Sequence, residues 1–349
     1  MREMIINGEV INNETDCYFI AEIGHNHQGS VNTAKKMIKV AKECGVNAVK
    51  LQKRDNNVLF TKEILNAPYD NENSYGATYG EHRKALEFGK EEFIELISYA
   101  KHIGITLFST AFDFNSADLL ANLDIPAYKI ASGDLTNTPL LKHVAEIGKP
   151  MIVSTGGGTI TDVQRAYDLI MPINPQLCLL QCTAAYPIEN YEDMNLKVIN
   201  QYREVFPDVV VGLSDHESGI AMALVAYMMG ARVIEKHFTL NRAWRGTDHA
   251  FSLSPNGLKR LVRNIQRARI AMGDGIKRKL ACEVKPLYKM SKKLVLARDL
   301  KAGNRLGRND IAIKSPGDGL APYELENVIG KRLKIDLKYD ESIRFEDLE

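Results

Sequence analysis

Short apolar runs rich in β-branched residues alternate with amphipathic stretches from Tyr18 to about Gly273. The runs are Tyr18–Ile23, Ala48–Gln52, Thr106–Thr110, Ala127–Ala131, Met151–Thr155, Leu177–Thr183, Val209–Asp215 and Arg232–Phe238. Their near-continuous apolar character is what a strand buried on both faces requires. Between them lie stretches with helical spacing, such as Val31–Cys44, Glu91–His102, Thr161–Ile170 and Ile220–Met229. Ser30 and Thr161 are the expected N-caps of the first and third of these. A strand–helix unit repeated eight times closes into an α/β fold of the (β/α)8 TIM-barrel type. An open doubly wound sheet is the rival. It carries fewer repeats and a Gly-rich dinucleotide turn, and no GxGxxG follows the first run. Gly156-Gly-Gly158 reads as a turn after the fifth strand.

Two regions depart from the repeat. Lys53–Gly89 is too long for a bare connection and is dense in turn formers and polar aromatics. Its helix-like tail, Glu81–Phe88, favours an ordered lid or rim over a peripheral insertion. After a helix over Ser254–Met272 the texture changes again. Residues 1–273 form the expected barrel, 274–286 a polar, basic linker, and 287–349 a small β-rich module. The module's short runs are Lys293–Gly303, Asp310–Lys314, Val328–Leu333 and Ser342–Phe345. Some sixty residues make a marginal isolated fold, so the module is expected to dock on something.

Composition narrows the function. Hydrophobic residues are 45% and charged residues 26% of 349, ordinary globular values. With 45 basic against 44 acidic residues the net charge is +1, which gives no global attraction to nucleic acid or an anionic membrane. Any anion must be gripped locally. The five cysteines are odd in number and lack CxxC spacing, which fits buried reduced thiols and a cytoplasmic location. Met1–Gly8 lacks the apolar core of a signal peptide, and Ile220–Met229 falls short of the ~20 residues a membrane span needs.

In a barrel of this kind the strands' carboxyl ends carry the chemistry. Here those ends are polar. The first has Glu22, the second Lys50 and Gln52 on one face, the third Thr110, the fourth Lys129 followed by Ser132 and Asp134. The fifth has Ser154, the sixth leads to Tyr186, the seventh ends Ser214-Asp215-His216, and the eighth ends Glu235-Lys236-His237. Two lysines in buried strands beside several hydroxyls read as an anion cradle, with phosphate as the natural guest. Either histidine alone fits a strand cap. The pair, each following a carboxylate, fits one divalent metal ion. Asp248 and His249, just past the eighth strand, are within reach of that metal or of a substrate.

These residues carry a resemblance. The runs Ala21-Glu-Ile-Gly-His-Asn-His-Gln-Gly, Lys50-Leu-Gln, Tyr128-Lys-Ile-Ala-Ser-Gly-Asp, Ser154-Thr-Gly, Cys182-Thr-Ala-Ala-Tyr-Pro, Gly212-Leu-Ser-Asp-His and Glu235-Lys-His-Phe resemble the sialic acid synthases. The resemblance covers nearly the whole chain, because the C-terminal module is similar to that family's antifreeze-like (SAF) domain. It implies condensation of phosphoenolpyruvate with an open-chain N-acylmannosamine in a cytoplasmic, domain-swapped homodimer. Lys50, Thr110, Lys129, Ser132, Ser154 and Ser214 would hold phosphoenolpyruvate. Glu22 would be the first candidate base, with Asp215 and Glu235 behind it. His216 and His237 would hold Mn2+ or Mg2+. Gln52, Asp134, Tyr186, Asp248 and Phe251 would lie near the acceptor sugar.

The chain departs from the family pattern in two places. Bacterial members often have Asn where Ala184 stands, and an arginine at the place of Ser315 in Lys314-Ser-Pro-Gly-Asp-Gly319. Recognition of the acyl group therefore needs another explanation. Three acceptors remain open: N-acetylmannosamine, its 6-phosphate, and the 2,4-diacetamido-6-deoxy sugar of a legionaminic-type synthase. A 6-phosphate would want an extra cation at the rim, for which Arg83, Lys84, Arg242 and Arg245 are available. A metal-dependent pyruvate aldolase on the same barrel would not need both lysines and the hydroxyls. A carbohydrate- or ice-binding protein would not need Glu22, His216 and His237.

Overall fold

The computed structural model describes residues 2–349, and the chain divides into two compact units, Met1–Met272 and Gly273–Glu349. The first unit opens with an antiparallel hairpin, β1 (Glu3–Ile6) and β2 (Glu9–Asn12). Its turn is Asn7-Gly8, both at positive φ (49° and 81°), as a tight I′-type hairpin turn demands. Eight parallel strands follow: β3 (Tyr18–Gly24), β4 (Ala48–Lys53), β5 (Thr106–Ala111), β6 (Tyr128–Ile130), β7 (Met151–Ser154), β8 (Leu177–Cys182), β9 (Val210–Asp215) and β10 (Val233–His237). They pair in sequence order, and β10 pairs with β3 to close the barrel. The expected (β/α)8 barrel is therefore the fold.

The outer ring is α1 (Val31–Glu43), then α2 (Asn56–Leu59), α3 (Lys62–Asn66) and α4 (Tyr79–Leu86) within the long second connection, then α5 (Lys90–Ile103). It continues with α6 (Phe114–Asn122), α7 (Thr138–Ile147), α8 (Ile160–Ile170), α9 (Val198–Val205), α10 (Ala221–Met228) and α11 (Pro255–Met272). Ser30 Oγ accepts from the Thr33 N–H and caps α1 as expected. The cap of α8 is Thr159 rather than Thr161; its hydroxyl and the Asp162 carboxylate form a reciprocal capping box. Thr161 lies inside that helix, because the chain turns helical as soon as both groups of the box are in place.

The strands face two cores. Outward residues such as Val49, Leu107, Val153 and Leu179 pack on the helices in one continuous cluster. Inward residues form a second cluster in the lower barrel, with Tyr18, Ile20, Ala48, Phe108, Ala127, Ile152, Cys178, Leu180, Val210 and Val233. Met4, Ile6 and Ile11 of the hairpin belong to it, so the hairpin plugs the amino-terminal end of the barrel. Each of these inward residues is at most 2% exposed. That floor makes the opposite end a one-ended pocket.

The second unit contains α12 (Val284–Met290), a hydrogen-bonded strand pair β11 (Lys293–Leu296) and β12 (Ile311–Lys314), and α13 (Leu325–Val328). Helix α12 starts inside the stretch expected as linker, so ordered structure begins before residue 287. Only two of the four expected runs form a ladder. The others join through single bridges, such as Val295 with Ser342 and Arg305 with Arg332. Leu294, Leu296, Leu306, Val328, Leu333 and Ile343 centre its core. Among the described residues no helix is long and apolar enough to cross a membrane.

Candidate active site

A pocket of about 410 Å3 opens at the carboxyl ends of the strands. Side chains alternate along a strand, so the inward set continues past the floor at steps of two. Ile20 is followed by Glu22, Ala48 by Lys50 and Gln52, Phe108 by Thr110, Ala127 by Lys129, Ile152 by Ser154, and Val233 by Glu235 and His237. All of these upper residues line the pocket, with Ser132, Tyr186, Ser214, His216 and Asp248. Within this site lie most of the residues singled out from the sequence.

Both lysines are buried, at 2% and 3% exposure, and both are partnered. Lys50 Nζ lies 2.6 Å from Glu22 Oε2 and donates to Thr110 Oγ1 at 2.9 Å. Lys129 Nζ donates to Ser154 Oγ at 2.6 Å and to the Ile130 carbonyl at 3.0 Å. Glu235 Oε1 is shared between them, 3.6 Å from Lys50 Nζ and 4.0 Å from Lys129 Nζ. An unpaired charge at this depth would cost several kcal/mol, about what these contacts offset.

The carboxylates differ because their surroundings differ. Burial pushes the Glu22 carboxyl up to about 7 against the pull of Lys50, and Gln52 Nε2 donates to its Oε1 at 2.6 Å. Burial also disfavours the charged form of Glu235, yet the Lys129 and Lys50 ammonium groups outweigh it and hold that carboxyl below its usual range. Burial lowers the Lys129 ammonium, with Glu235 opposing. A bulge between Glu22 and Gly24 reshapes the end of β3. Gly24 has φ +52°, and a Cβ there would sit 3.1 Å from Glu22 Oε1 and 3.2 Å from Gln52 Nε2. Glycine thus allows the glutamate–glutamine contact to form.

The two imidazoles meet, with ring centroids 5.4 Å apart. His216 Nδ1 donates to the Thr183 carbonyl at 2.8 Å, which leaves Nε2 with its lone pair. Burial, then His237, lowers His216 to about 4, and burial lowers His237, so both rings are neutral. His237 Nδ1 is buried with no hydrogen-bond partner, and Asp248 Oδ2 is 3.5 Å away. Tyr186 lies against His216, centroids 4.1 Å apart, and Phe251 against His237 at 4.9 Å.

Four expected residues do not line the pocket; one of them, His249, is buried with its Nδ1 2.7 Å from Thr239 Oγ1. Asp215 follows Ser214 on β9 and so points the other way. Its Oδ2 pairs with Lys236 Nζ at 2.9 Å and its Oδ1 accepts from the Glu217 N–H at 2.8 Å. Period-two alternation removes it as a base. Asp134 sits beyond the strand end, accepting from Asn137 Nδ2 at 3.0 Å. Phe251 packs behind His237. Conversely, His25, Arg54, Phe112, Cys182 and Thr247 line the pocket and were not singled out. Alternation carried one step further, from Lys50 and Gln52 to Arg54 and from Thr110 to Phe112, would have found two of them.

Known proteins share this arrangement of domains. The NeuB family pattern matches residues 37–277, and the SAF domain pattern matches residues 293–349. The chain is 38% identical to the N-acetylneuraminate-9-phosphate synthase of Mus musculus, across 98% of this chain and 95% of the mouse protein. It is 37% identical to the N,N'-diacetyllegionaminic acid synthase of Legionella pneumophila, across 95% of each. Among solved structures it is similar to the N-acetylneuraminic acid synthetase of Leptospira borgpetersenii in complex with citrate. That likeness has TM-score 0.71 and 30% identity, and covers 82% of this chain and 95% of that one. With a polar pocket on the barrel's carboxyl end, a family match over most of the chain and near-full-length relatives, the chain belongs to the NeuB family and is a carbon–carbon bond-forming enzyme of the sialic acid synthase type.

Proposed function

We propose that the chain condenses phosphoenolpyruvate with an open-chain N-acylmannosamine, N-acetylmannosamine or its 6-phosphate. The products are a sialic acid, N-acetylneuraminate or its 9-phosphate, and inorganic phosphate. One observation carries the reading: two buried ammonium groups, ringed by hydroxyls, share a pocket with a neutral imidazole pair. A pyruvate aldolase has no use for the first half of that arrangement.

Phosphoenolpyruvate is a trianion, and Lys50 and Lys129 with Thr110, Ser132, Ser154 and Ser214 present cations and donors to it. Its carbon three forms a bond to the aldehyde carbon while the aldehyde oxygen gains a proton. Water then adds to carbon two, loses a proton, and the bond from carbon two to the phosphate oxygen breaks. That leaves a 2-keto acid and inorganic phosphate. A carboxyl that titrates near 7 can take a proton and return it at neutral pH, and Glu22 is in that state. Glu235, held charged between the ammonium groups, positions both lysines. Fixing both reactants in one pocket contributes through orientation.

The imidazole pair fits a divalent ion. Both rings are neutral, and His237 Nδ1 is a buried nitrogen without a partner. Among the described residues no three His, Cys, Asp or Glu side chains converge as a closed cage. Such an open pair suits Mn2+ or Mg2+ rather than structural zinc. A metal held by His216 and His237 would supply Lewis-acid polarisation of the aldehyde oxygen.

The test is phosphate release when phosphoenolpyruvate, Mn2+ and the candidate sugars are mixed with the protein. Pyruvate working equally well in place of phosphoenolpyruvate would overturn the synthase reading. His216→Ala should abolish turnover while the far-UV circular dichroism stays unchanged; undiminished turnover would remove the metal role from this pair.

A further inference from the structure

The mouth of the pocket holds a group of cations that the chemistry above does not use. Arg54 follows the end of β4 and Arg83 lies on α4, and both line the cavity. His25 stands between them. Arg54 Nη1 is 3.0 Å from His25 Nε2, and Arg83 Nη1 is 3.3 Å from His25 Nδ1. A neutral imidazole accepts at only one of its nitrogens. One guanidinium N–H therefore faces a ring N–H; Arg54 Nη1 also reaches Glu87 Oε1 at 3.5 Å, whereas Arg83 Nη1 has no other acceptor within that distance among the described residues.

The charges do not balance either. Glu87 is the carboxylate in direct contact here, shared by His25 at 3.4 Å, Arg54 at 3.5 Å and Lys53 at 3.7 Å, while Asp248 on the same pocket wall acts on His25 and Arg83 from beyond contact distance. Arg83 has Tyr79 Oη at 2.8 Å as its other polar neighbour. Among the described residues no carboxylate lies within 4.0 Å of its guanidinium. Arg54 is held flat, its guanidinium carbon 3.8 Å from the centre of the Phe112 ring, with Nη2 donating to Gln52 Oε1 at 2.7 Å. Two oriented guanidinium groups with N–H to spare match a phosphate or carboxylate, as a lysine point charge does not.

We propose that Arg54 and Arg83, spaced by His25 at the pocket mouth, bind an anionic group on the acceptor, so that the acceptor is the 6-phosphate of an N-acylmannosamine rather than a neutral sugar. The inference rests on the synthase reading for the identity of the sugar. The donor's phosphate has its own cradle of ammonium and hydroxyl groups deeper in the barrel. The guanidinium pair sits above it, where the far end of the second substrate would reach. The other basic residues available for this role are placed elsewhere. Lys84 borders a different cavity, Arg242 donates to the Ala250 carbonyl, and Arg245 lies over the Tyr75 ring.

The experiment titrates N-acetylmannosamine 6-phosphate and N-acetylmannosamine calorimetrically into the wild-type chain and into Arg83→Gln. Arg83→Lys serves as the charge-preserving variant. Kinetics with phosphoenolpyruvate and Mn2+ are run on the same samples. The wild type should bind the phosphorylated sugar at least tenfold more tightly. Arg83→Gln should lose about 10- to 100-fold of that affinity, the scale of hydrogen bonds to a charged group, and Arg83→Lys should recover part of it. Equal binding of both sugars, or preference for a neutral 2,4-diacetamido-6-deoxy sugar, overturns the proposal. So does a variant whose KM rises for phosphoenolpyruvate alone, which would assign the pair to the donor's carboxylate. If the phosphorylated sugar binds through Arg83 but no sugar releases phosphate, the subsite stands and the synthase reading falls.

Discussion

The two ends of the barrel interior are made by the same eight strands in one register, yet their chemistry is opposite. At the amino-terminal end Ile20, Ala48, Phe108, Ala127, Ile152 and Val233 meet as a dry layer under the hairpin. Two residues further along each of those strands stand Glu22, Lys50, Thr110, Lys129, Ser154 and Glu235. The difference teaches how a buried charge cluster is sustained. The floor and the outer shell supply burial free energy that the rim does not, and the floor keeps water from reaching the rim from below. Charges above such a floor interact strongly, which is useful to a trianionic substrate and costly without one. Lys50 and Lys129 are accordingly paired in the free protein, with groups a substrate can replace.

Lys129 is where floor and rim should differ most. Lys129→Met removes one of two deep cations and keeps the volume of the stem. Glu235 retains Lys50 at 3.6 Å, so the fold should survive. Phosphate release should fall about 10^3-fold, the scale of about 4 kcal/mol of transition-state stabilisation. A thermal melt recorded beside the assay decides the matter. Loss of activity with an unchanged melting temperature supports the division of labour, whereas unfolding would show that the rim carries stability too.

Two variants on one strand separate floor from rim directly. Ile152 and Ser154 are two residues apart on β7, one in the floor and one in the pocket. Ile152→Ala should cost roughly 2–5 kcal/mol of stability through the cavity it leaves, with kcat/KM of the folded fraction unchanged. Ser154→Ala takes away the hydroxyl that accepts from Lys129 at 2.6 Å. It should raise the KM for phosphoenolpyruvate about tenfold and leave the denaturant midpoint where it was. If the two variants exchanged their effects, floor and rim would not be separate in function.

Much of this architecture is legible in the chain because period-two alternation in buried strands links the two layers. The polar residues at the strand ends announce the rim, and the apolar residues before them announce the floor. What stayed hidden has physical reasons. Asp215 looked catalytic by its place beside His216, but one step along a strand reverses the side chain, and Lys236 claims it. The plugging hairpin is short, and a reading of Met1–Gly8 as a leader question passes over the Asn7-Gly8 turn signal and the alternation around it. Arg83 is one of four basic residues the sequence offers for the rim, and what singles it out is its reach from α4, in a connection whose path no local pattern specifies. His25 falls in the loop beyond the bulge of β3, where strand alternation has ended.

The smallest expected effect lies in the electrostatics of the rim. Glu22 titrates near 7 because burial over the floor pushes its carboxyl up while Lys50 and Gln52 pull it down. Gln52→Leu removes an N–H that donates to the charged form at 2.6 Å. The charged form then becomes less favourable, so the group should titrate at a higher pH. If the charged carboxylate is the form that accepts the proton, the acidic limb of kcat/KM for phosphoenolpyruvate should move to higher pH by about one unit, equivalent to about 1.4 kcal/mol. The acceptor's KM will change as well, since Gln52 lines the same pocket, but that change scales the profile without moving its limb. An acidic limb that stays in place would mean that Glu22 is not the group being read, and Glu235, whose carboxyl the two ammonium groups hold below the usual range, would not supply a limb near neutrality either.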